Sequence, residues 1–232
     1  TGASNVAIGH DALGENTTGA ANVAVGVGSL DANTTASNNT GVGFNALTAN
    51  TTGASNTSVG KSSSRSNTTG TQNSAFGFFA YASGTTGGQN VAVGFAALDA
   101  NTTASNNTAV GSSSLSTNTT GANGTAVGAN ALQANTTGAD NTGLGKGALA
   151  SNTTAAQNTA VGVRSMEDTT TGADNTAIGW GSLTENTTGA QNTALGRSAL
   201  AANTTASGNT GVGGNAGLSI TTGVQNTIVG QL

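Results

Sequence analysis

The sequence predicts an all-β fold, a parallel β-solenoid or β-roll of 14 coils with 17 residues in each. Three observations predict it: a strict 17-residue repeat, period-two patterning within the repeat, and a composition hostile to helices. The repeat is plainest in NTTGAQNTALGRSALAA (186–202). Its central glycine recurs at Gly9, Gly26, Gly43, Gly60, Gly77, Gly94, Gly111, Gly128, Gly145, Gly162, Gly179, Gly196, Gly213 and Gly230, with no insertion or deletion. A helix pair would need about 30 residues or more per repeat, and Gly, Thr and Asn are poor helix formers. Seventeen residues suit one solenoid turn of two short strands and two tight corners.

The first strand leads up to the glycine. An aliphatic residue or Phe precedes it in every coil, as in Ile8, Val25, Val42, Phe76 and Val229. Val or Thr mostly lies two residues earlier, as in Val6, Val23, Thr40 and Thr108. Period two puts both columns on one strand face, and that face is expected to be the interior. Between them stands Ala, Gly or Ser until Ile228. So small an opposite face is expected to have something packed close against it. Leu13, Leu30, Leu47, Leu98, Leu115, Leu132, Leu149, Leu183 and Leu200 form a second apolar column, preceded throughout by Ala or Ser. Phe76 and Tyr81 occupy the Val and Leu columns and are expected in the core. Asn5, Asn22, Asn39 and Asn56 begin one asparagine column and Asn16, Asn33, Asn50 and Asn67 another. Stacked amides of this kind bond from coil to coil. The glycine after each aliphatic residue suits a corner where a Cβ would crowd or φ is positive.

Residues 1–232 are expected to form a single solenoid domain with no recognisable caps. Stacked at about 4.8 Å per strand, the coils would make a rod roughly 65 Å long. Such a core is thin, so the coils are expected to bury further surface by docking the small-residue face on other copies of the chain.

Composition excludes several classes of function. Only 6% of residues are charged, against roughly 25% in average proteins. The formal net charge of -4 provides no basic surface for nucleic acid or an anionic membrane. No apolar run approaches the roughly 18 residues that a membrane-spanning helix requires. Without Cys, with His10 the sole histidine and with acids scattered singly, neither a protein-held metal nor a catalytic triad can be assembled. The expectation is no enzyme, no cofactor and no metal. The many glycines are corners; the Gly60-Lys61-Ser62 string has Ser55 where a phosphate loop requires its first glycine. The Asn-x-Thr tracts spell a glycosylation sequon, to which no role is assigned.

SNVAIGHDAL (4–13) and TAVGANAL (125–132) resemble the N-x-A-[IV]-G-x-x-[AS] head repeats of trimeric autotransporter adhesins. NTAIGWGSLTENTTGAQ (175–191) is similar to repeats of bacterial and phage tail-fibre-like proteins. The resemblance covers the whole chain, although the adhesin repeat is shorter and this one adds residues around Asn-Thr-Thr-Gly. It implies a left-handed β-roll, a homotrimer, and an extracellular or virion-surface location. It also implies an adhesive or fibre role with a cell-surface glycan or protein as receptor.

Three groups of residues are candidate sites. Phe44, Phe78, Phe79, Phe95 and Trp180 stand in variable columns near the Val-Gly corner. They either fill a seam between chains, the favoured expectation, or form an apolar patch for a partner. Leu218, Ile220, Val224, Ile228 and Leu232 make the last coils more apolar, and are candidates for end-to-end assembly into an open filament. The Thr-Thr pair recurs in thirteen coils, its first member at Thr17, Thr34, Thr51, Thr68, Thr85, Thr102, Thr119, Thr136, Thr153, Thr170, Thr187, Thr204 and Thr221. Adjacent strand residues face opposite ways, so one Thr of each pair is expected inside and one outside. The pairs are read first as a structural hydroxyl ladder, and alternatively as an outer array that binds ice. The leading functional expectation is an oligomeric extracellular fibre or adhesin shaft. A filament of head-to-tail solenoids and an ice-binding protein are the alternatives.

Overall fold

The computed structural model describes residues 2–230. It is an all-β parallel β-solenoid of about 13 turns, with no helix among the described residues. The chain divides into two compact units, one running to Thr120 and the other starting at Gly121. The first holds β1 (Val6–Ile8), β2 (Val23–Val25), β3 (Thr40–Val42), β4 (Thr57–Val59), β5 (Ser74–Phe76), β6 (Val91–Val93) and β7 (Thr108–Val110). The second holds β8 (Thr125–Val127), β9 (Thr142–Leu144), β10 (Thr159–Val161), β11 (Thr176–Ile178), β12 (Thr193–Leu195), β13 (Thr210–Val212) and β14 (Thr227–Val229). Within each unit, successive strands pair in parallel with equivalent residues side by side, Val6 on Val23 and Thr159 on Thr176.

Each coil has one three-residue strand and not the two expected. The Leu column lies on consecutive turns. The first turn closes with Ser29 N–H donating to Gly26 O at 3.3 Å, the next with Asn33 N–H donating to Leu30 O at 3.1 Å. Leu30 itself has φ 52°. A left-handed conformation costs a non-glycine residue about 1–2 kcal/mol. Full burial of the side chain and an N–H bond to Ala46 O at 3.0 Å offset that cost. A two-residue hydrophobic period cannot distinguish this bonded turn from a strand.

The strand faces are reversed from expectation. The middle residue of each interior strand is buried, while its Val and Thr neighbours are at least partly exposed. Ala24 is buried, whereas Val6, Ile8 and Val93 are exposed. The reason is the width of the coil. A Cβ added to Gly41 would stand 2.6 Å from Ser29 Oγ and 3.3 Å from Leu30 Cγ. At Gly211 it would meet Leu200 Cγ at 2.9 Å. The leucines already fill the interior, so only Ala, Gly or Ser fits opposite them. The small-residue face is therefore core, and no second copy docks there. Ile228 is the exception in this column and is half-buried. Tyr81 is core as expected, but Phe76 is 41% exposed because its column faces outward.

The asparagines line the rest of the interior. In one column Asn22 Oδ1 accepts the Asn39 N–H at 2.9 Å, and Asn22 Nδ2 donates to Ala36 O at 2.9 Å. In the other, Asn50 Nδ2 donates to Gly53 O at 2.9 Å and to Asn33 Oδ1 at 3.1 Å. Buried amides are tolerable because their bonds are made, within a coil and from one coil to the next.

Candidate functional site

The sequence-predicted residues fall on different surfaces. In the Thr ladder, the first Thr of nearly every pair is half-buried and the second exposed. Thr17 Oγ1 donates to Thr34 O at 2.9 Å and Thr153 Oγ1 to Thr170 O at 3.1 Å. These hydroxyl protons are committed to joining coils. The second column, Thr18, Thr35 and their successors, faces solvent.

A different surface, read by the sequence as interior, is the outward strand face. It presents one aliphatic or Phe column beside one of Val, Thr or Ser, with no charged side chain in either column. In the second unit all seven strands begin with Thr and end with Val, Leu or Ile. In the first unit the columns are more varied, with Val at Val6, Val23 and Val91 and with Ser74 and Phe76 on β5. Equivalent side chains repeat at about 4.8 Å, and the two columns are separated by about 7 Å along the strand. The period-two pattern did reveal this pair of columns; what it lacked was their direction.

The aromatic candidates of the first unit come together. Phe78 and Phe95 stack with centroids 5.7 Å apart and planes at 19°. Phe79 lies 4.1 Å from Phe78. Lys61 Nζ stands 5.9 Å from the Phe44 ring centre and 5.6 Å from that of Phe78, and the Arg65 guanidinium stands 5.0 Å from Phe79. Lys61 and Arg65 were not singled out from sequence. Lys61 occupies the same repeat position as Phe44, Phe78 and Phe95, which is a usable signal. Arg65 is aligned with Phe79 only by the turn. Burial raises the Asp99 carboxyl above the ordinary range, and Arg65 partly counters it.

Trp180 lies in the second unit, 51% exposed, with Arg197 at 5.4 Å from its ring. It lines a shallow depression of about 180 Å³ with Arg164, Thr184 and Glu185. A second depression of about 310 Å³ is lined by Lys146, Val163, Arg164 and Glu167. Arg164 Nε donates to Glu167 across its wall, and this bond raises the guanidinium pKa. Of the apolar terminal set, Leu218 and Val224 are exposed, Ile220 and Ile228 are half-buried, and Leu232 lies outside the described residues. His10 and Asp11 are exposed and 2.7 Å apart. Among the described residues no three His, Cys, Asp or Glu side chains gather as a metal site.

No family model matches the chain, and no curated protein matches it.

Proposed function

We propose that the chain is the shaft of an extracellular fibre or adhesin, assembled as a homotrimer through its outward strand faces. The observation that carries this reading is the uncharged column, aliphatic on every strand but β5, where it is Phe76, repeated through both units. Ile8, Val93, Val127, Ile178 and Leu195 are all at least 36% exposed in the isolated chain. A seven-strand face at about 4.8 Å by about 10 Å per strand covers roughly 300 Å². Within that face the aliphatic column is a continuous, at least partly exposed apolar stripe, and such stripes mark association. Light scattering on the purified chain tests it: a trimeric mass is expected. Lys at Val42 and at Val161 should dissociate the trimer while the far-ultraviolet spectrum is retained. A monomeric wild-type protein at every concentration sinks the reading, and continuous filaments in electron micrographs replace it with end-to-end assembly.

Ice binding is favoured by one specific observation, the Thr-x-aliphatic array of β8–β14. Its hydroxyls and methyls form an uncharged array with spacings of about 4.8 Å between strands and about 7 Å along each strand. The surface in question is this strand face and not the ladder beginning at Thr17, whose hydroxyl protons are committed. A freezing-point gap with shaped ice crystals is the expected result on this reading, and their absence rejects it.

A further inference from the structure

We infer that the aromatic patch of the first unit binds a linear polysaccharide carrying carboxylates. All five phenylalanines of the chain fall between residues 44 and 95, and none of them is buried. Lys61 and Arg65 are the only Lys or Arg in residues 1–120, and both stand over these rings. A cation held between aromatic faces, in a chain of net charge -4, is a placement that suits a carboxylate. Coils repeat at about 4.8 Å, close to the length of one sugar ring, so a polysaccharide can offer each coil an equivalent group. Sugar C–H groups pack on exposed aromatic rings, and Phe44 and Phe95 are 49% and 55% exposed.

The alternatives fit less well. A seam between copies would need rings along the column, but in the same unit that column holds His10, Val27 and Ser112. A single-stranded nucleic acid also stacks on aromatics, but its backbone requires a basic groove, which two cations do not make. A protein partner anchors best in a pocket, and the patch is an open row. The inference does not depend on the proposed trimer.

The test titrates the full chain with a short polyuronate oligosaccharide and with its carboxyl-reduced counterpart of equal length, followed by calorimetry. Binding of the polyuronate is expected, weakened about tenfold or more by Phe78→Ala with Phe95→Ala. Lys61→Gln should weaken the carboxylated sugar and leave the reduced one unchanged. All three positions are at the surface, so melting temperatures should be retained. The inference is overturned by absence of wild-type binding, by equal affinity for both sugars, or by variants that bind as the wild type does. A change in molar mass of the double variant also overturns it, since the rings would then be a seam.

Discussion

A Cβ on Gly84 would lie 2.2 Å from Cζ of Tyr81. Gly84 stands where neighbouring coils have Asn67 and Asn101, and Tyr81 where most coils have Leu. The phenol fills the volume of the missing amide and takes over its bond. Tyr81 Oη donates to Gly87 O at 2.9 Å, as Asn67 Nδ2 does to Gly70 O at 3.1 Å and Asn101 Nδ2 to Ala104 O at 3.0 Å. The two departures from the repeat are one compensated exchange.

A double-mutant cycle should expose that coupling. Gly84→Asn alone overpacks a closed site and should cost about 1–3 kcal/mol. Tyr81→Leu alone leaves a cavity and should cost about 2–3 kcal/mol. The double variant restores the repeat and should melt close to the wild type, giving a coupling of about 3–6 kcal/mol, the sum of the two single losses. Additive losses in thermal unfolding would show that the residues act independently.

Tyr81 should also make the fold sensitive to alkali. Burial pushes its pKa up to about 12, against smaller opposing contributions from hydrogen bonds to Asn101 and Asn90. The native state therefore keeps a proton that the unfolded chain gives up near pH 10. Stability from this group is intact below about pH 10 and falls between about pH 10 and 12, by about 2–3 kcal/mol in all. Tyr81 is the only tyrosine, so phenolate absorbance reports it directly. Titration near pH 10 in the folded protein would contradict the buried bond.

The asparagine column that begins at Asn16 is broken at three places, and each break leaves a partnerless oxygen in the coil before it. Asn67, Asn152 and Asn203 have buried Oδ1 atoms without a hydrogen bond, and Gly84, Thr169 and Ile220 replace the next amide. Thr169 Oγ1 is itself buried and unsatisfied. Thr169→Asn should let Nδ2 donate to Asn152 Oδ1 and stabilise the protein by about 1–3 kcal/mol. A higher melting temperature is the expected result. A lower one would mean that Met166, which stands in the Leu column of that coil, already fills the space.

The corner glycines should be sharply intolerant. Gly162 has φ 132°, and a Cβ there would stand 2.4 Å from Gly179 O in the next coil. Both conformational strain and backbone collision oppose Gly162→Ala, which should cost about 3 kcal/mol or more. Gly214→Ala is the control: nothing lies within 4 Å of its added Cβ, and stability should change by less than about 0.5 kcal/mol. Equal melting temperatures for the two variants would show that coil stacking does not need the glycine.

The period of 17, the parallel in-register pairing, the asparagine ladders and the corner glycines were all legible in the sequence. Each is a property of one repeat position copied to the next coil, and stacking equivalent positions requires no knowledge of the third dimension. The aromatic patch was half legible, because Phe44, Phe78 and Phe95 share a position with Lys61, while Arg65 reaches Phe79 only through the turn. Which side of the strand faces inward was decided by tertiary structure alone. Period two separates Val23 and Val25 from Ala24 but is silent on direction, and ordinary hydrophobicity favours the valines. The interior already holds Leu30 and the Asn22 and Asn33 amides. The space left opposite them admits only a small side chain, so alanine, glycine or serine goes in and the valines are turned out to form the surface on which the proposed function rests.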